Sequence, residues 1–179
     1  MTEKQETVEF ETGALDFALP NDDWITVKPP EGSIFLAQHK GEYPRFCPNI
    51  GVQLAEIQPE STLRDVAVSL TVNLGNIDKE LEFERQIDEA KEQVLQKIDL
   101  VLRPQDGQES PEIKLEQWQT VLILHQKDGP RRWALCITLT ATVEDIFALK
   151  PDYQAFIASG HVDRPSKSGA QKVPLPPSA

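Results

Sequence analysis

The sequence predicts an α+β protein whose central antiparallel sheet carries helices on both faces, as an α/β/α sandwich. Two observations predict this class. A pair of predicted strands around Asp128-Gly129 is apolar on both of its faces, so each face needs a packed layer. Apolar residues also recur at helical spacing in three other stretches. A chain of 179 residues is long enough for one domain with a single core.

Three strands are predicted near the amino end. The first two, Trp24 to Lys28 and Ser33 to His39, are joined by the turn residues Pro-Pro-Glu-Gly. The third lies in the stretch FCPNIGVQLAEI, Phe46 to Ile57. Pro48 has no amide hydrogen, so it belongs at the entrance or at an edge of that strand. Asn49 is a turn or bulge former, and we expect both residues to be architectural.

Three helices are predicted. The first follows from Ser61, where the stretch Ser-Thr-Leu-Arg-Asp offers an N-cap, and it ends at Gly75 and Asn76. The last runs to Ser159 with Pro151 at its first position. The apolar stripe of the first helix is Leu63, Val66, Leu70 and Leu74; that of the last is Tyr153, Phe156 and Ile157. A middle helix is predicted from the stripe Phe83, Ile87, Ala90, Val94 and Ile98, with the charges of 80–97 on its wet face.

The hairpin around Asp128-Gly129 has a register that can be worked out. A two-residue loop places Lys127 opposite Pro130. The pairs that follow on one face are Leu124 with Trp133, Leu122 with Leu135, Thr120 with Ile137 and Trp118 with Leu139. Nearly all of these side chains are large and apolar, so this face is predicted to lie on the main core. The reverse face carries the smaller apolar residues Val121, Ile123, Ala134 and Cys136.

Composition divides the chain into three parts. Residues 1–12 are predicted to be a flexible acidic amino terminus, 13–161 a single domain and 162–179 a disordered Pro-rich tail. Residues 174–177 spell a minimal PxxP, and the alternative to simple disorder is docking of this motif in an aromatic groove. The amino terminus lacks the apolar core of a secretory signal, so we expect a leaderless cytoplasmic protein.

The net charge limits the kinds of partner that the protein can bind, and the cysteines indicate the compartment in which it folds. A formal net charge of -11 disfavours nucleic acid and anionic lipid as partners. No apolar run approaches the roughly 18 residues of a membrane span, so membrane insertion is not expected. Cys47 and Cys136 match no metal spacing, and we expect free thiols in a reducing compartment rather than a disulfide.

A search for catalytic or metal-binding residues identifies none. His39, His125 and His161 lack zinc-site spacing. The predicted register separates His125 from Cys136 by about 13 Å along the strand, which is too far for proton transfer in a Cys-His dyad. The pair Asp22-Asp23 is either a carboxylate pair for acid-base or cation chemistry or a solvated turn, and the turn is favoured. No cofactor is predicted, and the residues that bind a partner are not identified.

Three short patterns carry a resemblance to a known family. They are Phe17, Leu19, Pro20 and Trp24; then Phe46, Pro48, Asn49, Ile50 and Val52; and finally LTATVEDIFALKPDYQAFIAS. In this order they resemble the LpqN/LpqT family of actinobacterial proteins, which has the Mog/PsbP-like fold. The similarity would extend from Phe17 to His161. It implies a central antiparallel sheet flanked by helices and brings no established catalytic motif. Most family members are exported lipoproteins, and the absence of a leader here means that an envelope location is not implied.

These observations favour a non-catalytic binding or adaptor protein that binds a protein partner or an apolar ligand. The first alternative is a cytosolic secretion-associated chaperone, which would be an obligate dimer. The second alternative is an enzyme of unknown class, which would need a pocket containing a titratable pair with strongly perturbed pKa values. A protein partner is expected, and a homodimer is possible.

Overall fold

The computed structural model describes residues 5–10, 13–72, 83–103, 111–126, 129–166 and 169–174, with side chains from Leu15 to His161 except at Val72 and Phe83. These residues form β-strands and two α-helices. The strands are β1 (Gln5–Phe10), β2 (Gly13–Ala18), β3 (Trp24–Thr26), β4 (Phe35–His39), β5 (Asn49–Ile57), β6 (Phe83–Asp88), β7 (Gln93–Leu102), β8 (Ile113–His125), β9 (Arg132–Thr142), β10 (His161–Ser166) and β11 (Gly169–Pro174). The helices are α1 (Leu63–Val72) and α2 (Lys150–Ser159).

The strands form two antiparallel sheets. The larger has seven strands in the order β3-β4-β5-β9-β8-β7-β6, and the smaller has four in the order β1-β2-β10-β11. The long strands β5, β9, β8 and β7 occupy the centre of the larger sheet, whereas the short strands β3 and β6 are its edges. No helix among the described residues is long and apolar enough to cross a lipid bilayer.

The predicted register of the β8–β9 hairpin is confirmed. Leu124 pairs with Trp133, and the remaining three predicted pairs are also formed. Trp133 and Leu135 are buried, which confirms that this face lies on the core. The amide of Gln126 donates to the carbonyl of Arg131 at 2.9 Å, so the pairing continues to the loop. Lys127 and Asp128 themselves lie outside the described residues.

The two helices lie on opposite faces of the seven-stranded sheet. Phe156 of α2 stacks on Phe17 and Phe35, within a cluster that includes Leu135 and Ile137. Val66 of α1 instead shares a cluster with Ala134 and Cys136. Because successive residues of a strand point to opposite faces, the alternation along β9 assigns each helix to its own side.

The prediction of an α/β/α sandwich is wrong. The protein is mostly antiparallel sheet, and its described helices are two segments of ten residues each. A helix of that length is about 15 Å long, whereas seven strands side by side span roughly 29 Å between the outer axes. One such helix therefore covers only part of a face. Complete helical layers therefore do not cover the two faces of the sheet.

The error arises from the stretch predicted as a middle helix, which forms the β6–β7 hairpin. The residues Ile87, Val94 and Ile98 suggested a helical stripe. A spacing of four residues, as from Val94 to Ile98, also keeps two side chains on one face of a strand, so it satisfies both structures. The alternation that distinguishes a strand was hidden because Gln96, between Val94 and Ile98, is polar in sequence yet buried in the fold.

The starts of the other two helices and the entrance to β5 agree with the predictions made from the sequence. α1 begins with reciprocal hydrogen bonds between Thr62 and Asp65, and α2 has a proline in its first turn as predicted. Pro48 immediately precedes β5, so the missing amide does not interrupt the ladder. The side chain of Asn49 donates to the carbonyl of Cys47 at 3.3 Å, an architectural contact.

Strands β1 and β11, and β10 apart from its first residue His161, lie in the end regions for which flexibility was predicted, 1–12 and 162–179. They form the smaller sheet together with β2. Residues 1–4, 11–12, 167–168 and 175–179 lie outside the described part of the chain, and with them most of the PxxP motif at 174–177. The predicted end of the first helix, Leu74 to Asn76, also lies outside it.

Candidate functional site

A groove with a volume of ≈ 380 Å³ lies on the α2 side of the large sheet. One wall is formed by α2 and by the turn at residues 143–149 that precedes it, and the floor is formed by strands β6, β7 and β8. The register explains the floor, because Glu84 is opposite Lys97 and Lys97 is opposite Trp118. Cross-strand partners share a face, so these three side chains point to the same side. The volume falls in the range of small-ligand sites.

Aromatic side chains form the apolar part of the groove. The ring of Trp118 meets that of Phe147 edge to face at 6.0 Å and that of Tyr153 at 6.3 Å between centroids. Phe147 is 67% exposed, the largest fraction among the exposed large apolar side chains of the described residues. The ammonium of Lys150 lies 5.8 Å from the centre of the Trp118 ring, within cation-π distance.

An ion pair between a half-exposed lysine and a buried glutamate forms the polar part of the groove. The Nζ atom of Lys97 lies 3.1 Å from Oε2 of Glu116, whose side chain is only 5% exposed. The other oxygen of Glu116 accepts a hydrogen bond from Nε1 of Trp118. The hydrogen bond to Glu116 raises the pKa of Lys97, and the negative charges of Asp99 and Glu84 raise it further. Lys97 is therefore a permanent cation surrounded by carboxylates.

Tyr153 attaches α2 to the sheet beneath the groove. Its hydroxyl donates to the carbonyl oxygen of Ile137 at 2.8 Å and lies 3.1 Å from Oγ1 of Thr120. Burial raises the pKa of Tyr153 far above its ordinary value, so the phenol stays neutral. The tyrosine consequently acts as a fixed support that sets the distance between the helix and Trp118.

A ladder of polar side chains supports the same strands from the opposite face. Nε2 of Gln96 donates to Oε1 of Gln119 and to the carbonyl of Ala67 in α1. Gln119 in turn donates to Gln117, and Gln117 donates to Thr140. Gln96 and Gln119 are buried, and their mutual hydrogen bonds compensate for the loss of water. The ladder connects β7, β8 and β9 and so fixes the strands that form the groove.

The three histidines occupy separate places. His39 ends β4, where its Nδ1 lies 2.7 Å from the hydroxyl of Tyr43. His125 ends β8 and pairs with Glu92 at 2.7 Å. His161 begins β10, with its Nδ1 2.8 Å from the carbonyl of Ser159. No group of three metal-ligating side chains comes together among the described residues.

The acidic pair and the cysteines do not line the groove. Asp22 and Asp23 form a turn, and their carbonyl oxygens accept hydrogen bonds from the side chain and the backbone amide of Lys40. Cys47 and Cys136 are both free. Cys136 is buried on the α1 side, where desolvation raises its pKa to about 12.

The groove was not found from the sequence. Its residue Lys97 was assigned to the solvated side of a helix, and only the β6–β7 pairing brings it to Glu116 and Trp118. Phe147 was the residue that could have indicated a binding surface. It is a large aromatic residue between Asp145 and the start of α2, outside the apolar stripe of that helix. Exposure of that residue could not be read from its position alone.

No family model matches the chain, and no curated protein matches it in sequence. Its structure is similar to the crystal structure of LpqN, a protein involved in cell envelope biogenesis of Mycobacterium tuberculosis. The match has a TM-score of 0.56 and 12% sequence identity, and it covers 90% of this chain and 92% of that chain. At such low identity the likeness concerns the fold alone. The chain is therefore structurally related to LpqN over nearly its whole length.

Proposed function

We propose that the protein is a non-catalytic binding protein and that the groove beside α2 is its ligand-binding surface. The observation that carries the proposal is the exposed ring of Phe147 at the rim of a groove that also contains Trp118. Leaving a large aromatic side chain in water forgoes about 1.5–3 kcal/mol of burial free energy. A ligand or a protein segment that covers this ring recovers part of that free energy.

The protonation states in the groove favour binding over catalysis. A general base must lose its proton near neutral pH, yet the pKa values of Lys97 and Tyr153 are both raised above their ordinary values. Both groups therefore keep their protons. Glu116 is occupied by its bonds to Lys97 and Trp118. These groups have the character of fixed hydrogen-bonding and charged contacts for a bound molecule.

We also propose that the chain is a cytoplasmic member of the LpqN/LpqT family. The fold likeness to LpqN and the order of the short motifs support the family assignment. The two free thiols, Cys47 and Cys136, are compatible with a reducing compartment. Fractionation of native cells tests the location, and recovery of the protein in the envelope fraction would contradict it.

Titration with a neutral apolar fluorophore, 1-N-phenylnaphthylamine, tests the binding proposal. We expect saturable binding that Phe147→Ser weakens by roughly tenfold, because a rim contact of about 1.4 kcal/mol is lost. Ile25→Ser is the matched control, since Ile25 is also exposed but lies on β3 at the other edge of the sheet. Absence of binding, or equal weakening by both substitutions, would overturn the proposal.

A further inference from the structure

The edge strand β6 lies directly beside the groove. We propose that β6 and the groove together bind an extended segment of a basic protein, which adds a strand to the sheet and places a cationic side chain near Glu84 and Asp99. This inference rests on the proposed function and names the class of its ligand. The backbone of β6, the charge of the groove and the ring of Trp118 each support it.

The first support is the position of β6 at the edge of the described sheet. Within the described part of the chain, β6 pairs with β7 and with no other strand. In an antiparallel ladder, alternate residues direct their amide and carbonyl groups away from the existing partner, and these groups can pair with an added strand. Glu84 and Gln86 of β6 also line the groove. Every second side chain of an added strand would therefore project on the groove side, about 4.8 Å beyond β6.

The second support is charge. Three carboxylates, those of Glu84, Asp99 and Glu116, act on the single ammonium of Lys97. One of them, Glu116, is bound to Lys97 at 3.1 Å. The remaining two, Glu84 on β6 and Asp99 on β7, place negative charge at the β6 side of the groove, whereas the second lysine of the groove, Lys150, lies on the α2 side. The whole chain has a net charge of -11. Such a field attracts a basic segment and speeds its encounter with the groove.

The third support is a cation-π contact that the groove already contains. The ammonium of Lys150 lies over the face of Trp118, so this ring accepts a positive charge in the protein itself. Lys150 is exposed and sits at the first position of α2. Because Lys150 already lies at Trp118, an arginine of the ligand would stack on the exposed ring of Phe147 by the same attraction, since its planar guanidinium suits aromatic faces.

A second copy of this chain is a poor occupant of the same edge. Antiparallel pairing of β6 with its copy would bring carboxylates of the two copies together on the groove face, where β6 carries Glu84 and Asp88, while Arg85 lies on the opposite face. Like charges across a strand pair are destabilising. A basic partner replaces that repulsion with attraction, and this difference favours a separate protein over self-association.

The test uses the full chain and blocked peptides of about ten residues that alternate valine and threonine. The test peptide carries arginines on one face, and its control carries glutamates at the same positions. We expect the arginine peptide to bind in calorimetric titration and the glutamate peptide to fail. Glu84→Lys should weaken the arginine peptide by at least about tenfold, whereas Glu31→Lys, an equal charge change in the β3–β4 turn, should have little effect.

Methylation of peptide amides separates strand addition from simple charge attraction. Two versions of the arginine peptide carry N-methyl groups on odd or on even residues. Only every second amide group of an added strand would donate a hydrogen bond to β6. Methylation of those amides should abolish binding, whereas methylation of the alternate amides should leave more of it. Equal affinity of the two versions would overturn the strand-addition inference.

The remaining outcomes distinguish this inference from the proposed function. If the neutral fluorophore binds in a Phe147-dependent manner but the arginine peptide does not bind, the inference is wrong and the proposed function stands. If neither binds, both are wrong. Sedimentation of the protein without peptide is the last check. If the protein forms a dimer whose stability changes with Glu84→Lys and not with Glu31→Lys, the occupant of the β6 edge is a second copy. That result would overturn the inference.

Discussion

The β8–β9 and β6–β7 hairpins are neighbours in one sheet, yet only one of them was predicted from the sequence. The β8–β9 hairpin is apolar on both faces and closes at Asp128-Gly129, so its pairs could be assigned residue by residue. The β6–β7 hairpin closes through residues 89–92 without such a dipeptide and buries a glutamine at its centre. A turn dipeptide and an alternation of apolar residues identify a hairpin in the sequence. Hydrogen bonds among buried polar side chains also stabilise a hairpin, but they leave no recognisable pattern in the sequence.

The comparison also explains where the groove lies. The predictable hairpin supplies Trp118 and carries α2, while the unpredicted one supplies Glu84 and Lys97. Polar residues on the groove side of β6 and β7 reduce the apolar area available for packing, and α2 does not extend over them. The features that obscured the β6–β7 hairpin in sequence therefore also leave its face open for a ligand.

The largest effect is expected in the core of the predictable hairpin. Leu135 is fully buried on β9, opposite Leu122. Replacing it by alanine should lower the free energy of unfolding by about 2–5 kcal/mol, through lost burial and the cavity that remains. Urea denaturation measures this loss. A midpoint that hardly moves would show that the hairpin contributes far less to the core than its burial indicates.

The next effect depends on pH and concerns Cys136 on the same strand. Its pKa is about 12 in the folded protein because of burial, and about 8.5 in an unfolded chain. The unfolded state therefore loses the thiol proton first, so stability is complete below about pH 8.5 and falls as pH rises towards 12. The loss amounts to a few kcal/mol by linkage.

Cys136→Ala isolates that contribution, since alanine is small, apolar and without a proton to lose. Between pH 8 and 11, urea midpoints of the wild type should decline more steeply than those of Cys136→Ala. Parallel declines would show that other groups cause the alkaline loss. Cys47, whose pKa burial also raises, remains present in both proteins and so cancels in the comparison.

The polar hairpin should respond to the loss of one glutamine. Gln96→Ala removes the acceptor of Arg85 Nε and the donor to Gln119 and Ala67. Leaving buried polar partners unsatisfied should cost about 1–3 kcal/mol. Gln86→Ala is the matched control on the exposed face of the neighbouring strand. An equal, small loss for both would mean that the ladder does not hold the hairpin.

These two hairpins indicate how far the sequence determines the structure. Leu124 opposite Trp133 was predictable because a turn dipeptide and side-chain size agree on one register. Gln96 was not, because its burial depends on Gln119, which is 23 residues away. The same limit applies to the groove, whose ion pair joins Lys97 of β7 to Glu116 of β8. Local pattern predicts elements, but contacts between elements decide which polar residues are buried.

The smallest effect should come from giving the β6–β7 hairpin a better turn. Glu92 closes this hairpin with a φ of 50°, a left-handed conformation that glycine adopts without steric cost. Its carboxylate also pairs with His125 of β8 at 2.7 Å, so a direct substitution changes two interactions at once. In a His125→Ala background, Glu92→Gly should therefore raise the free energy of unfolding by about 0.5–1 kcal/mol through relief of the strained backbone. Chemical denaturation of the two His125→Ala proteins measures this difference.

Glu89→Gly, in the same turn but without a positive φ, should instead destabilise the protein. A gain for Glu89→Gly, or a loss for Glu92→Gly, would show that turn strain does not distinguish the two hairpins.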